Sequence, residues 1–134
     1  MKRHNILIIL FVGFLIFAFF WQVLIRLYLL KNNISTFYLA ETLPNFLAVV
    51  LFTFGAMTLL RYKENSKLFK LSTEFTASMV AYEFLQLIIP GRTFDVNDII
   101  ASVIGGVFSY IVLILINKIF TSNNMSIPRR KLVL

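Results

Sequence analysis

Residues 82–98 read YEFLQLIIPGRTFDVND, and this stretch decides the fold because it places charge between two apolar segments. It holds three of the six acidic residues of the protein, a glutamine within an apolar run and an arginine in a short turn. Charged side chains are costly inside a bilayer, and those found there face a protein interior or a wet cavity. The stretch therefore predicts a polar site at the junction of two membrane helices.

The composition of the whole chain indicates a membrane protein. Of its 134 residues, 59% are hydrophobic and 14% are charged, and the mean hydropathy is +0.84. A soluble domain of this length needs a more polar surface. The chain has no cysteine, which excludes disulfides and thiolate metal sites, and its single histidine, His4, lies among N-terminal charges. We therefore expect neither a metal nor a cofactor.

Apolar segments of membrane-spanning length occur four times, since a crossing helix needs about 20 residues. They cover about 6–24, 40–60, 71–89 and 98–116, and a basic tail follows at 117–134. The first segment is too long for a signal peptide and lacks a small-residue cleavage site, which favours a retained helix. The sequence predicts one all-α domain over 1–134, a multi-pass bundle of about four transmembrane helices.

The distribution of positive charge predicts the orientation of this bundle. The net charge is +7, but the cations flank apolar runs instead of forming a stripe with aromatic residues, which argues against nucleic acid. With four spans, ten of the thirteen Lys and Arg residues share the side of both termini. These are Lys2, Arg3, Arg61, Lys63, Lys67, Lys70, Lys118, Arg129, Arg130 and Lys131. The positive-inside rule makes this side cytoplasmic and puts residues 82–98 at the outer face.

Within the central stretch, the spacing predicts a helix with a polar face and a tight turn. Glu83 and Gln86 are three residues apart and share one helix face. Glu83 lies seven residues before Pro90, or roughly 10 Å along a helix, so an ionised carboxylate there needs a cation or several donors. Pro90 and Gly91 suit the central positions of a type II turn, which would present Arg92 above the helix pair.

The fourth segment carries a capping signal and a row of small residues. Asp95 is a good N-cap, and Asp98 follows three residues later in a variant of the capping box. Asp98, Ser102 and Gly105 share a face, with Gly106 beside it, and such a face allows close approach of another helix. The expected partner is the third segment. Each polar residue also has a purely structural interpretation: the two acids as caps, Arg92 as their counter-ion, and Gln86 as an interhelical hydrogen bond.

The ordered pattern across this region is similar to that of a known family. The pattern Glu83-x-x-Gln86-x-x-x-Pro90-Gly91-Arg92-Thr93-Phe94-Asp95-x-x-Asp98-Ile99-Ile100, followed by Gly105, resembles the signature of the VanZ-like family of small bacterial membrane proteins. Two features depart from that signature. Ser102 stands where family members usually have Asn, and Phe52–Gly55 keeps the glycine of an earlier Pro-x-Gly without its proline.

The resemblance implies the bacterial plasma membrane and, for the founding member, resistance to teicoplanin, a glycopeptide antibiotic with a fatty tail. It supplies no established reaction. The resemblance assigns no roles to its matching positions, which are Glu83, Gln86, Arg92, Asp95 and Asp98. We expect these five residues and Ser102 to form the ligand site. We expect Pro90, Gly91, Gly105 and Gly106 to serve the turn and helix packing. Membrane lipids are the expected partners, and an oligomer is left open.

Two functions of different classes follow from these residues. The first is a binding protein whose outer pocket takes a lipopeptide antibiotic or a lipid-linked envelope precursor, with Arg92 on an anionic group. The second is a membrane-embedded enzyme with Glu83 as its acid or base. Binding is favoured because the sequence shows no nucleophile with an adjacent base. A transporter ranks third, since one acidic helix face is little for alternating access.

Overall fold

The computed structural model describes residues 3–31 and 37–125, which form helices joined by short connections. The elements are α1 (Arg3–Phe20), a π-helical segment (Trp21–Ile25), α2 (Arg26–Lys31), α3 (Phe37–Leu60), α4 (Asn65–Gln86) and α5 (Val96–Met125). The first three follow one another without a break, so four helical rods are present and no β-strand occurs within these ranges. The all-α prediction is confirmed. Lys2 and residues 126–134 of the expected basic tail lie outside the described residues.

Within the described ranges, three stretches are long and apolar enough to cross a membrane: Arg3–Leu29, Thr42–Leu60 and Val96–Thr121. α4 does not reach that hydropathy because Lys67, Lys70, Glu74 and Glu83 fall within its 22 residues. It nevertheless packs along α5 and also contacts α3. Neighbouring helices therefore cover Glu83, as the cost of exposing charge to lipid requires, whereas Lys67, Lys70 and Glu74 remain exposed nearer the start of α4.

Two helix boundaries differ from the expected ones for local reasons. α4 runs from Asn65 to Gln86 instead of over 71–89, and Leu87, Ile88 and Ile89 continue it with bonds from each N–H to the carbonyl three residues back. This tightening precedes Pro90, because the residue before a proline avoids the α conformation. α5 continues to Met125, well past residue 116, so the first part of the expected tail is helical.

The apolar core and the polar side chains of the candidate site lie toward opposite ends of the bundle. The end that carries residues 61–64 is called the basic end here, and the end that carries residues 87–95 is called the turn end. The buried apolar core lies toward the basic end and consists of Leu7, Val50, Phe54, Met57, Leu68, Leu71, Leu113 and Ile116. At the turn end, the ends of the helices instead contribute polar side chains. The apolar core and the candidate site are therefore formed by different residues.

Small residues let α5 approach two different helices. A Cβ atom on Gly105 would lie 2.8 Å from the backbone oxygen of Phe46 on α3, so this glycine does not face the third predicted segment. Gly106 instead lies against the side chain of Thr76 on α4. α5 therefore occupies a corner between α3 and α4, while α1 packs mainly on α3.

The start of α5 is capped as the sequence predicts. The Asp95 side chain accepts a hydrogen bond of 2.8 Å from the backbone N–H of Asn97, and the backbone N–H of Asp98 donates to the Asp95 carbonyl at 3.2 Å. A carboxylate at this position satisfies one of the free donors of the first turn and suits the positive end of the helix dipole.

Replacing Gly105 by Ala is expected to destabilise the bundle by about 1–3 kcal/mol, since its Cβ would meet the fixed backbone of α3. Gly13→Ala is the matched control because nothing lies within 4 Å of a Cβ atom there. Unfolding of each variant in detergent, followed by circular dichroism, measures the difference. Equal stability of the two variants would contradict the close α3–α5 contact.

Asp95→Ala is expected to lower the free energy of unfolding by about 1 kcal/mol, the usual cost of losing an N-cap. Asp95→Asn should retain most of the wild-type stability, since an amide oxygen can accept the same hydrogen bond from the backbone N–H of Asn97. Amide hydrogen exchange over residues 96–100 locates the effect. Unchanged protection of this turn in Asp95→Ala would show that the cap contributes nothing.

Candidate functional site

A polar cleft of about 370 Å³ opens at the turn end. It lies between the start of α3, the end of α4, the turn and the start of α5. Its lining residues are Pro44, Asn45, Tyr82, Glu83, Gln86, Gly91, Arg92, Thr93, Asp95 and Asp98. Five of the six residues that the sequence marked for ligand binding therefore line one cleft, and Ser102 does not.

The turn that closes the α4–α5 pair has the geometry expected of its residues. The backbone N–H of Arg92 donates to the Ile89 carbonyl at 3.3 Å, and Gly91 has a φ of 79°. This is the hydrogen bond and the positive φ of a type II turn with Pro90 and Gly91 at its centre. The rings of Phe84 and Phe94 pack with centroids 5.6 Å apart, which holds the segment after the turn against α4.

Glu83 is the most deeply buried charged residue of the cleft, with 0% of its surface exposed. Its Oε1 accepts a hydrogen bond of 3.4 Å from Asn45 Nδ2, whereas its Oε2 is buried with no hydrogen-bond partner among the described residues. Gln86, one turn along α4, is 8% exposed. A buried carboxyl oxygen without a partner is costly, and such groups point to a proton, a ligand or a catalytic role.

Asn45 is a site residue that the sequence analysis missed. Its position does carry a signal: Asn45, Val49 and Thr53 recur every four residues, and the last two are fully buried. A polar residue on the buried face of an apolar helix indicates an interhelical contact.

Both aspartates are half-buried at the start of α5, where they combine capping with a place in the cleft. Asp95 caps the helix, as described above. Ser102 is buried one turn beyond Asp98 and donates its hydroxyl to the Asp98 carbonyl at 2.8 Å. This bond turns the Ser102 hydroxyl toward its own helix backbone, so its contribution is to α5 and not to the wall of the cleft.

Arg92 is exposed at the mouth of the cleft and makes no ion pair with any acidic side chain that the structure describes. The geometry therefore does not support the interpretation of Arg92 as a simple counter-ion for Asp95 or Asp98. A guanidinium carries five N–H donors in a fixed plane and suits planar recognition of a carboxylate or phosphate. Tyr82, 41% exposed, and Thr93 stand beside it and were not singled out from the sequence.

The cleft does not form a metal centre within the described ranges, because no group of three or more His, Cys, Asp or Glu side chains there converges as ligands would. The cleft combines the buried carboxyl group of Glu83, which is hydrogen-bonded to the Asn45 amide, with the exposed guanidinium of Arg92. It can hold an anionic group at the rim, and it can exchange a proton at Glu83.

Comparison with known proteins gives one match. The VanZ/LLP1 family model matches residues 3–117, from the first helix to the middle of α5. No curated protein and no solved structure matches the chain. The family model covers most of the chain and includes every residue that lines the cleft. This membrane protein therefore belongs to the VanZ/LLP1 family.

Proposed function

We propose that this protein binds an amphiphilic ligand of the bacterial cell envelope, either a lipoglycopeptide antibiotic or a lipid-linked envelope precursor. The cleft at the turn end is the binding site. The observation that carries the proposal is the exposed guanidinium of Arg92, which has no ion-pair partner among the described residues and stands at the mouth of a cleft of about 370 Å³.

The anionic part of such a ligand would meet Arg92. Hydrogen bonds between charged groups contribute more than neutral ones, about 1.5–3 kcal/mol each. Since no described carboxylate pairs with Arg92, its N–H groups would not have to exchange such a partner when an anion arrives. Tyr82 and Thr93 supply hydroxyl groups beside it, which could orient a phosphate or a carboxylate at the rim.

The fatty part of the ligand would follow the apolar surface next to the cleft. Leu87 and Ile88 are 65% and 78% exposed just before the turn. Further along α5, Val103, Gly106 and Val107 line a groove between α4 and α5. A ligand with a charged head at the cleft would thus have apolar surface available for its acyl chain.

The proposed orientation puts the cleft at the outer face of the plasma membrane and both termini in the cytoplasm. The positive-inside rule supports it, since ten of the thirteen Lys and Arg residues fall on the opposite side when the chain crosses four times. An outer cleft would meet antibiotics and exported precursors before they reach their targets. A contribution to teicoplanin resistance is part of this proposal.

Loss of the Arg92 side chain is expected to weaken ligand binding at least about tenfold, since 1.4 kcal/mol corresponds to a factor of ten. Native mass spectrometry of envelope lipids that copurify with wild type and with Arg92→Ala measures this directly. Lys118→Ala is the control, an exposed cation on α5 far from the turn. Retention of the same lipids by wild type and Arg92→Ala would rule out the proposed pocket.

A membrane-embedded enzyme that acts on an envelope lipid is the second candidate, and the partnerless Oε2 of Glu83 favours it. Buried acids in clefts are frequent general acids or bases. In this case Glu83 would move a proton to or from a lipid whose anionic group is held by Arg92. The same cleft serves both candidates, and they differ in whether the ligand leaves chemically changed.

Glu83→Gln separates the two candidates. The amide keeps the shape and an oxygen that can accept from Asn45, so binding should persist while any acid–base step is lost. Wild type and variant would be incubated with an envelope lipid extract, and the products identified by mass spectrometry. Lipids that remain unchanged with wild type would eliminate the enzyme, and loss of lipid binding in Glu83→Gln would show that the carboxyl group itself is needed for the ligand.

A further inference from the structure

A second cluster of charged side chains lies at the basic end, far from the cleft. It joins the first turn of α1 to the α3–α4 connection. Arg3 Nη2 donates to the Tyr62 carbonyl at 2.5 Å, and Arg61 Nη2 lies 3.4 Å from His4 Nε2. Two guanidinium groups and an imidazole are thus gathered by contacts that hold the start of α1 against residues 61–62.

The nearby carboxylates do not neutralise this cluster. Glu64 pairs with Lys67 at 3.3 Å, and Glu74 pairs with Lys70 at 3.8 Å. Within the described ranges no ion pair joins either arginine to an acid. Gathering like charges without a counter-ion costs free energy even at a surface dielectric. The arrangement is therefore better suited to a bound anion than to the protein alone.

Two further features point to a ligand at this position. Arg3 Nε and His4 Nδ1 are buried and have no hydrogen-bond partner among the described residues. Arg61 has a φ of 53°, a left-handed conformation that is uncommon for any residue other than glycine, Asn or Asp. Such strain persists where the surrounding structure holds the residue in place, and here the Arg61 side chain contacts His4.

We propose that Arg3, His4 and Arg61 form a binding site for the phosphate of an anionic membrane lipid. Arg3 and His4 begin a 27-residue apolar stretch of membrane-spanning length, and Arg61 directly follows α3, so the cluster lies at the depth of the lipid headgroups. Guanidinium groups recognise phosphate oxygens through paired N–H donors. The site is separate from the cleft and does not depend on what the cleft binds.

Arg61→Gly provides the most selective test, because it removes the guanidinium and suits the left-handed backbone, so the fold is preserved. Arg3→Gln is the second variant, and Lys63→Gln is the matched control, a cation of the same connection without a contact to the cluster. Each protein would be reconstituted with phosphatidylglycerol and phosphatidylcholine of identical acyl chains, and bound lipid would be counted by native mass spectrometry. We expect wild type and Lys63→Gln to prefer phosphatidylglycerol, and both cluster variants to lose that preference several-fold.

A thermal unfolding series in detergent identifies the source of the phosphate. Phosphatidylglycerol should raise the midpoint of wild type but not that of Arg61→Gly, while phosphatidylcholine and inorganic phosphate should have little effect on either. Equal stabilisation by inorganic phosphate would overturn the lipid assignment. An equal loss of lipid preference in Lys63→Gln would show diffuse surface charge instead of a site, and would also overturn the proposal.

Discussion

The burial of one carboxyl group, that of Glu83, constrains how the three helices around the turn end can be arranged. Water cannot reach it, and lipid cannot solvate it, so protein groups must surround it. α3 contributes the amide of Asn45, which donates a hydrogen bond to Glu83, and α4 contributes Gln86 one turn further along. α5 must then begin close by, which the tight turn at Pro90 and Gly91 ensures. The cleft is what remains between these helix ends once the carboxyl group is enclosed.

This constraint also explains why α4 can be so polar within a chain of such high hydropathy. Ser72, Glu83 and Gln86 are all buried, and they lie on the side of α4 that meets its neighbours. Thr76 fits against Gly106 on the same side. The outward face carries Phe84 and Leu85, both more than half exposed. Toward the turn end, α4 therefore directs polar side chains to the protein and apolar ones outward, whereas Lys70 and Glu74 nearer its start are exposed.

Charge is distributed between the two ends of the bundle in complementary ways. Among the described residues, the turn end combines carboxyl groups with the guanidinium of Arg92, which has no ion pair there, and the basic end combines guanidinium groups with carboxylates that pair with lysines. The apolar core lies between them, toward the basic end. Each end thus carries at least one arginine that makes no ion pair with a described acidic residue, which is the feature that both proposed anion sites use.

The sequence by itself determined the features that depend on a few neighbouring residues. Composition and apolar run length predicted the helices, Pro90 and Gly91 predicted the type II turn, and Asp95 predicted the cap, because each of these is a local preference of the backbone. The family resemblance likewise rested on a single ordered stretch. The helix ends were less well predicted, since α4 begins with the polar segment 65–70, in which only Leu68 is buried, in the core of the bundle.

Only the tertiary structure decided which faces meet. Asn45 reaches Glu83, and Gly105 lies against Phe46, because α5 packs in the corner between α3 and α4, an arrangement that depends on the whole bundle. The contacts of Arg3 with Tyr62 and of His4 with Arg61 join residues 57 or more positions apart for the same reason. Spacing along one helix shows which side chains share a face. It does not show which other helix that face contacts, because that choice is made by the sum of all packing contacts.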